Sequence, residues 1–398
     1  MERLELESWL RLTLTPGIGN ATARKLLSAF GLPSAVFQQP LVALRQVVHE
    51  IQAGALRAAP AELPALLELT WQWLQGSGPG SARRRIAVLG EDEYPASFLT
   101  IEDPPLMLYL LGAGDLGIDK AGHELHRSIA VVGSRNPTPQ GLANARHFSK
   151  SLGQAGLTIV SGLALGIDGA AHEGALDSVQ HGSPRLATLA VVGTGLDRVY
   201  PKAHLELAHR IARHGLLISE YPLGTPPLIA NFPRRNRLIA GLAQGTLVVE
   251  AALRSGSLIT ARLTAEQGKE VFAIPGSIHS TQARGCHALI KQGAKLVESV
   301  QDVLEELKIE VAVRSDAGLR VDSPEGHERG NLPDPALGLL ELLGFDPVGL
   351  DALQARSQLD TAGLQAQLMT LELAGLVARL PGGLFQRLNP VNPASAPD

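Results

Sequence analysis

The sequence predicts an α/β fold, with a parallel sheet covered by helices on both faces and smaller units flanking it. Three observations predict it. The stretch from Ile129 to Ala170 reads strand, glycine turn, helix, and then repeats the pattern. The alternation continues regularly to Ala273, as expected of right-handed crossovers between parallel strands. The chain of 398 residues is too long for one typical domain, and 45% hydrophobic with 19% charged residues is ordinary globular composition.

Taken in order, residues 1–80 predict a small helical domain. Leu4, Leu10 and Leu14 are spaced along one helix face, and Thr15-Pro16-Gly17-Ile18-Gly19-Asn20 turns into a second helix over Ala21–Phe30. The turn is similar to the hairpin of helix-hairpin-helix modules, with Arg24 and Lys25 just downstream. Two readings stay open: backbone N–H groups that approach a DNA phosphate, or a tight corner. Gly76 to Ser81 reads as linker. Arg83-Arg84-Arg85 reads as a solvated linker edge in preference to a phosphate patch.

The core spans 81–310. Its expected strands are Ile86–Leu89, Leu106–Leu111, Ile129–Val132, Leu157–Val160, Thr188–Val192, Leu216–Ser219, Thr246–Val249 and Glu270–Ala273. Helices are expected around Gln140–Gln154, Ile167–Ala175, Leu205–Arg213, Arg237–Leu242 and Leu258–Gln267. Residues 311–334 read as linker. From 335 to 392, three short helical patterns and a glycine-containing hairpin predict a winged-helix-like domain. That domain has arginines but no lysine and is outweighed by carboxylates, which favours partner binding over reading a DNA groove.

Composition narrows the function. A net charge of -4 confines any nucleic-acid site to a local patch, and 4% aromatic residues predicts little base stacking. The single cysteine, Cys286, excludes an internal disulfide. No apolar run is long enough to span a membrane, and the first residues resemble no signal peptide, so a cytoplasmic protein is expected.

The chemistry gathers at the expected strand ends, where ligands of such sheets sit. Gly133-Ser134-Arg135 and Ser161-Gly162 are small-residue turns ahead of helices. Gly193-Thr194-Gly195-Leu196-Asp197 leads to Tyr200-Pro201-Lys202. Arg234, Arg235, Asn236 and Arg237 open one helix, and Arg254, Ser255, Gly256 and Ser257 open another that carries Thr260. Hydroxyls, backbone donors and guanidiniums at several helix N-termini describe a polyanion site. Asp168 and His172, at i and i+4, suit a general-base pair or a structural contact, and the structural role is favoured. No Walker motif, H-E-x-x-H or nucleophile elbow is present, and the first turn lacks G-x-G-x-x-G. Neither a metal nor any other cofactor is expected.

These motifs in this order resemble the DNA-processing protein A family (DprA, also called Smf). The resemblance runs through V-V-G-S-R at Val131, S-G-L-A-L-G-I-D-G-A-A-H at Ser161, G-T-G-L-D-R-V-Y-P at Gly193 and S-E-Y-P-L-G at Ser219. It continues through F-P-R-R-N-R at Phe232, V-V-E-A-A-L-R-S-G-S at Val248, A-I-P-G at Ala273 and G-C-H-A-L-I-K-Q-G-A at Gly285. It implies a Rossmann-like core, with a SAM-like N-terminal domain and a winged-helix C-terminal one. It further implies a non-enzyme that binds single-stranded DNA, and duplex more weakly. Such a protein protects incoming DNA and loads RecA recombinase onto it during natural transformation. Gly133, Ser134 and Arg135 would cradle one phosphate, and Lys202 would supply a second cation. Arg254, Ser255 and Gly256 stand where the family usually has Lys-Ser-Gly, and His204 where it often has Asn. His287, Ile290 and Leu296 match its homodimer face. The alternative is a nucleotide hydrolase of the lysine-decarboxylase-like Rossmann group with Glu250 catalytic, although the P-G-G-x-G-T run of that group is missing.

Overall fold

The computed structural model describes residues 1–76, 82–113, 127–179, 186–309 and 334–388, except 346, 358 and 381. The expected linker over 311–334 lies almost wholly outside the described residues, as does most of Gly76–Ser81.

Helices fill the N-terminal unit: α1 (Arg3–Leu14), α2 (Asn20–Phe30), α3 (Pro33–Gln38), α4 (Leu41–Leu44), α5 (Glu50–Ala55) and α6 (Leu63–Gln75). Leu6, Trp9 and Leu10 of α1 face inward, with Leu26, Val36, Leu44 and Leu67 packed around them. This cluster is continuous with one face of the sheet that follows, where the Trp73 ring meets Tyr109 edge-on at 6.1 Å. Arg84 donates to the Trp73 carbonyl at 3.2 Å, so part of the arginine run braces α6.

Among the described residues the core carries a nine-stranded sheet. Its elements are β1 (Arg83–Val88), β2 (Met107–Gly112), β3 (Ser128–Val132), α7 (Pro139–Gln154), β4 (Thr158–Ser161) and α8 (Ile167–Leu176). β5 (Thr188–Val191), α9 (Leu205–His214), β6 (Leu216–Ser219), α10 (Asn231–Leu242) and β7 (Gly245–Val248) follow. α11 (Ser257–Glu266), β8 (Glu270–Ala273), α12 (Arg284–Lys291), β9 (Lys295–Leu296) and α13 (Val300–Glu306) complete it. The strand order is β1-β2-β6-β5-β4-β3-β7-β8-β9. From β3 the chain winds through β4, β5 and β6 on one side, then returns to β7 on the other. The strands from β3 to β8 pair in parallel as expected and β9 joins β8 in the same sense, whereas β1 and β2 are antiparallel to their neighbours. Strand direction leaves no mark on an apolar run, which is why the sequence did not distinguish them. Burial on both faces explains the continuous Ile-Ala-Val-Val of β3, each residue at most 3% exposed.

The C-terminal unit has its own core. It contains α14 (Asp334–Leu343), β10 (Val348–Gly349), α15 (Leu350–Ser357), α16 (Thr361–Leu373), β11 (Val377–Leu380) and β12 (Leu384–Arg387). Leu340, Leu353, Leu364 and Leu368 cluster with Phe385 of a small sheet in the order β10-β12-β11. Among the described residues, no helix is long and apolar enough to cross a membrane.

Helix α8 is buried along nearly its whole length, which its run of Gly and Ala permits. His172 pins it to β5: Nδ1 lies 2.7 Å from the Thr188 hydroxyl. That hydroxyl donates to the Ile159 carbonyl, so the imidazole must be the donor in the His172 bond. Burial pushes the His172 pKa down to about 3. Between about pH 6.5 and 3 the unfolded chain therefore takes up a proton that the folded chain refuses. Relative to a His172→Gln variant, wild-type stability should fall by about 1.4 kcal/mol per pH unit as pH drops below about 6.5. Urea unfolding of both proteins from pH 7 to 5 checks this, and parallel pH profiles would refute it.

Candidate nucleic-acid interface

The reversal of winding at β3 leaves the turn after it between two diverging sets of connections, and Gly133-Ser134-Arg135 occupies that place. Gly133 has no room for a side chain, since a Cβ there would meet Ile167 at 2.7 Å and the Glu250 carbonyl at 2.8 Å. Ser134 N–H donates to the Glu250 carbonyl at 2.7 Å, and Ile167 N–H to the Ser134 carbonyl at 3.1 Å. Glu250 also holds the next helix. Its carboxylate accepts from Thr138 N–H at 2.9 Å and from the Thr138 hydroxyl at 2.6 Å, while Thr138 caps α7. Burial raises the Glu250 pKa, and the Thr138 bonds oppose that. Both oxygens of Glu250 thus help to fix the start of α7.

The cations sort into two groups. Arg135, Lys202, Arg234 and Arg254 are exposed, and among the described residues no ion pair or hydrogen bond engages their side chains. They project from the turn after β3, the segment after β5, the start of α10 and the turn after β7. The other arginines of the α10 motif are committed, which corrects the expectation that all three guanidiniums face a ligand. Arg235 is 4% exposed. Its guanidinium donates to the Gly162 and Val191 carbonyls and to Asn236 Oδ1 at 3.1 Å, and lies 3.9 Å from Asp168. Arg237 pairs with Glu220 and, at 3.7 Å, with Asp103.

The hydroxyls and amides divide in the same way. Ser161 and Thr260 are buried, and the Ser161 hydroxyl donates to the Val131 carbonyl at 2.6 Å. Both are corrected from ligand contacts to interior groups. Asn236 is nearly buried and donates to the Gly256 carbonyl at 3.2 Å. Ser255 and Ser257 bond each other at 2.7 Å, and the exposed Gly256 precedes α11 with no side-chain cap on that helix. Gly162 stays a glycine because a Cβ would fall on the Arg235 guanidinium.

Asp168 and His172 do not serve each other. Asp168 accepts from Ala164 N–H at 3.2 Å and faces Arg235, whereas His172 faces β5. Burial raises the Asp168 pKa against the pull of Arg235. His204 reaches the Leu163 carbonyl at 3.0 Å and lies against Gly169, which ties the Lys202 segment to the loop after β4. Among the described residues, no cluster of His, Cys, Asp and Glu could hold a metal ion.

Two aromatic residues stand at the rim that sequence reasoning passed over. Tyr200 is 48% exposed, its ring centroid is 5.6 Å from that of Phe232, and the Arg135 guanidinium lies 5.5 Å from the Phe232 ring. Low overall aromatic content hid them; their place beside prolines in two site motifs was the available signal.

At the N-terminal hairpin, Arg24 pairs with Asp103 at 3.0 Å, and Asn20 donates to the same carboxylate at 3.0 Å. Arg24 therefore docks the hairpin on the core, and Lys25 remains exposed. At the far edge of the sheet, His287 bonds the Gly276 carbonyl at 3.0 Å, Ile290 is partly buried, and Leu296 on β9 is 43% exposed.

Comparison with known proteins agrees with this architecture. Residues 85–308 match the model of the DNA recombination-mediator protein A family, and residues 324–383 that of the DprA winged helix domain. The chain is 43% identical over 292 residues to protein Smf of Escherichia coli, covering 73% of this chain and 74% of that protein. It is 47% identical over 218 residues to DNA processing protein DprA of Streptococcus pneumoniae, covering 55% of this chain and 72% of the relative. The X-ray structure of DNA processing protein A from Streptococcus pneumoniae superposes with a TM-score of 0.61 at 35% identity, over 77% of this chain and 98% of that one. With the ordered motifs, the sheet topology and these matches in agreement, the chain belongs to the DNA recombination-mediator protein A family, the DprA/Smf proteins.

Proposed function

We propose that the crevice binds the sugar–phosphate backbone of single-stranded DNA without catalysing a reaction on it. The observation that carries this reading is the set of exposed cations, Arg135, Lys202, Arg234 and Arg254, which have no ion-pair partner among the described residues and stand on neighbouring turns around one switch point. Buried charges beneath them are already neutralised, so these side chains are what a polyanion would meet. Phosphate contacts position a strand without reading its sequence. Tyr200 and Phe232 offer ring faces to unstacked bases, which a paired duplex cannot supply, and this supports weaker binding of double strands.

In this reading the protein protects incoming single strands and loads RecA recombinase onto them during natural transformation, in the cytoplasm. The family resemblance supports that role. A homodimer is supported by the outer edge of β9, which no other strand of the described chain covers, and by the exposed Leu296 on it. The C-terminal unit supports partner binding: the outward face of α16 presents Met369, Leu373 and Glu372 and bears no lysine or arginine.

Two binding predictions follow from the division between charge and stacking. Arg135→Ala should weaken oligo-dT binding by roughly 1.5–3 kcal/mol, the worth of a hydrogen bond to a charged group. It should also lower the slope of log K against log salt by about 0.7, one phosphate on a single strand. Tyr200→Ala should cost about 1–3 kcal/mol and leave that slope unchanged. Fluorescence anisotropy across a salt series reads both, and wild-type binding by Arg135→Ala would remove the site from this crevice. For the dimer, Leu296→Arg should give a monomer by light scattering after size-exclusion chromatography; an unchanged mass would place the interface elsewhere.

A further inference from the structure

Arg235 is surrounded by the elements that carry the exposed cations, yet it is closed off from solvent itself. Its guanidinium reaches the carbonyl ends of β4 and β5 at Gly162 and Val191. Through Asn236, which bonds both Arg235 Nε and the Gly256 carbonyl, it connects to the turn that bears Arg254. Asp168, facing the guanidinium at 3.9 Å, lies in the first turn of α8, and that helix receives the Ser134 carbonyl through Ile167 N–H. The Lys202 segment joins the same frame where His204 bonds Leu163, the residue after Gly162. The glycine at 162 completes the fit, since any side chain there would displace the guanidinium. Only a planar fork with several N–H donors can serve carbonyls and an amide in different directions at once.

We propose that Arg235 is a positioning residue, a buried guanidinium that sets the spacing of the phosphate-binding turns and never touches the DNA. This rests on the single-strand reading above, and it separates two kinds of arginine within one Arg-Arg-Asn-Arg motif. A phosphate contact responds to charge, so lysine would replace it with small loss. A positioning fork responds to geometry, so lysine would not.

The test uses the full-length chain and fluorescent oligo-dT over a salt series. Arg235→Lys should bind about tenfold more weakly than wild type, roughly the worth of one charge-assisted hydrogen bond. Its slope of log K against log salt should match wild type, because the contacting cations remain. Wild-type affinity in Arg235→Lys, or a slope lower by about 0.7, would overturn the proposal in favour of direct contact or no role. The double variant Asp168→Asn/Arg235→Gln removes both buried charges together and should stay folded, by its thermal unfolding, yet bind weakly. Wild-type affinity in that variant would also overturn it. A measurement on the unaltered chain guards against misfolded variants: dicarbonyl labelling of arginines, mapped by mass spectrometry with and without oligo-dT. DNA should protect Arg135, Arg234 and Arg254, while Arg235 stays unlabelled in both states. Labelling of free Arg235 that DNA suppresses would refute the proposal. Failure of the wild-type chain to bind oligo-dT would instead remove the reading on which it rests.

Discussion

Between β3 and β7 the chain changes the side on which it adds strands, and the turn after β3 is left where connections lead away in both directions. Most of what distinguishes the site follows from that topological fact. The turn has to be short, because Ile167 and the backbone at Glu250 close in on Gly133 from either side. It also has to be held in shape without blocking the opening, and Glu250 does this from below through both hydrogen-bonding groups of Thr138. A carboxylate at a strand end beside a glycine turn suggests catalysis when read along the sequence. In three dimensions its oxygens are spent on the start of α7.

The charges beneath the crevice show how such an opening is kept firm. Burying a guanidinium alone is costly, and Arg235 is tolerated because carbonyls, an amide and Asp168 surround it. Burial opposes the charged form of each partner: it lowers the Arg235 pKa and raises that of Asp168, and each ion partly reverses the other's shift. A second network, in which Arg237 pairs with Glu220 and Asp103 while Arg24 and Asn20 both bond Asp103, carries the same logic outward to α2. The N-terminal hairpin is thereby joined by polar contacts to the helix that also supplies Arg234. Apolar packing of α6 on the sheet secures the rest of that unit.

Much of this was legible in the chain. Strands buried on both faces appear as unbroken apolar runs, so β3 to β8 were located within a residue of their observed ends, and turn glycines marked where ligands gather. The short helices α3 to α5, strand β9 and the antiparallel direction of β1 and β2 left no comparable signal, since each depends on what it packs against. The pairing of Tyr200 with Phe232 was hidden for a similar reason. The two are far apart in sequence and meet only because the segment after β5 and the start of α10 lie at the same end of the sheet.

The sequence by itself determined the α/β alternation and the strand-end positions of the motifs, because period and spacing are local properties, and the ordered motifs carried the family resemblance. Tertiary structure decided which of the motif residues remain free. Successive helical positions rotate by about 100°, so Arg234, Arg235 and Arg237 face different surroundings on one short helix. Solvent, the ends of β4 and β5, and the Glu220–Asp103 pair receive them in turn. No reading of Arg-Arg-Asn-Arg alone could assign those partners, since they come from strands and loops distant in the chain.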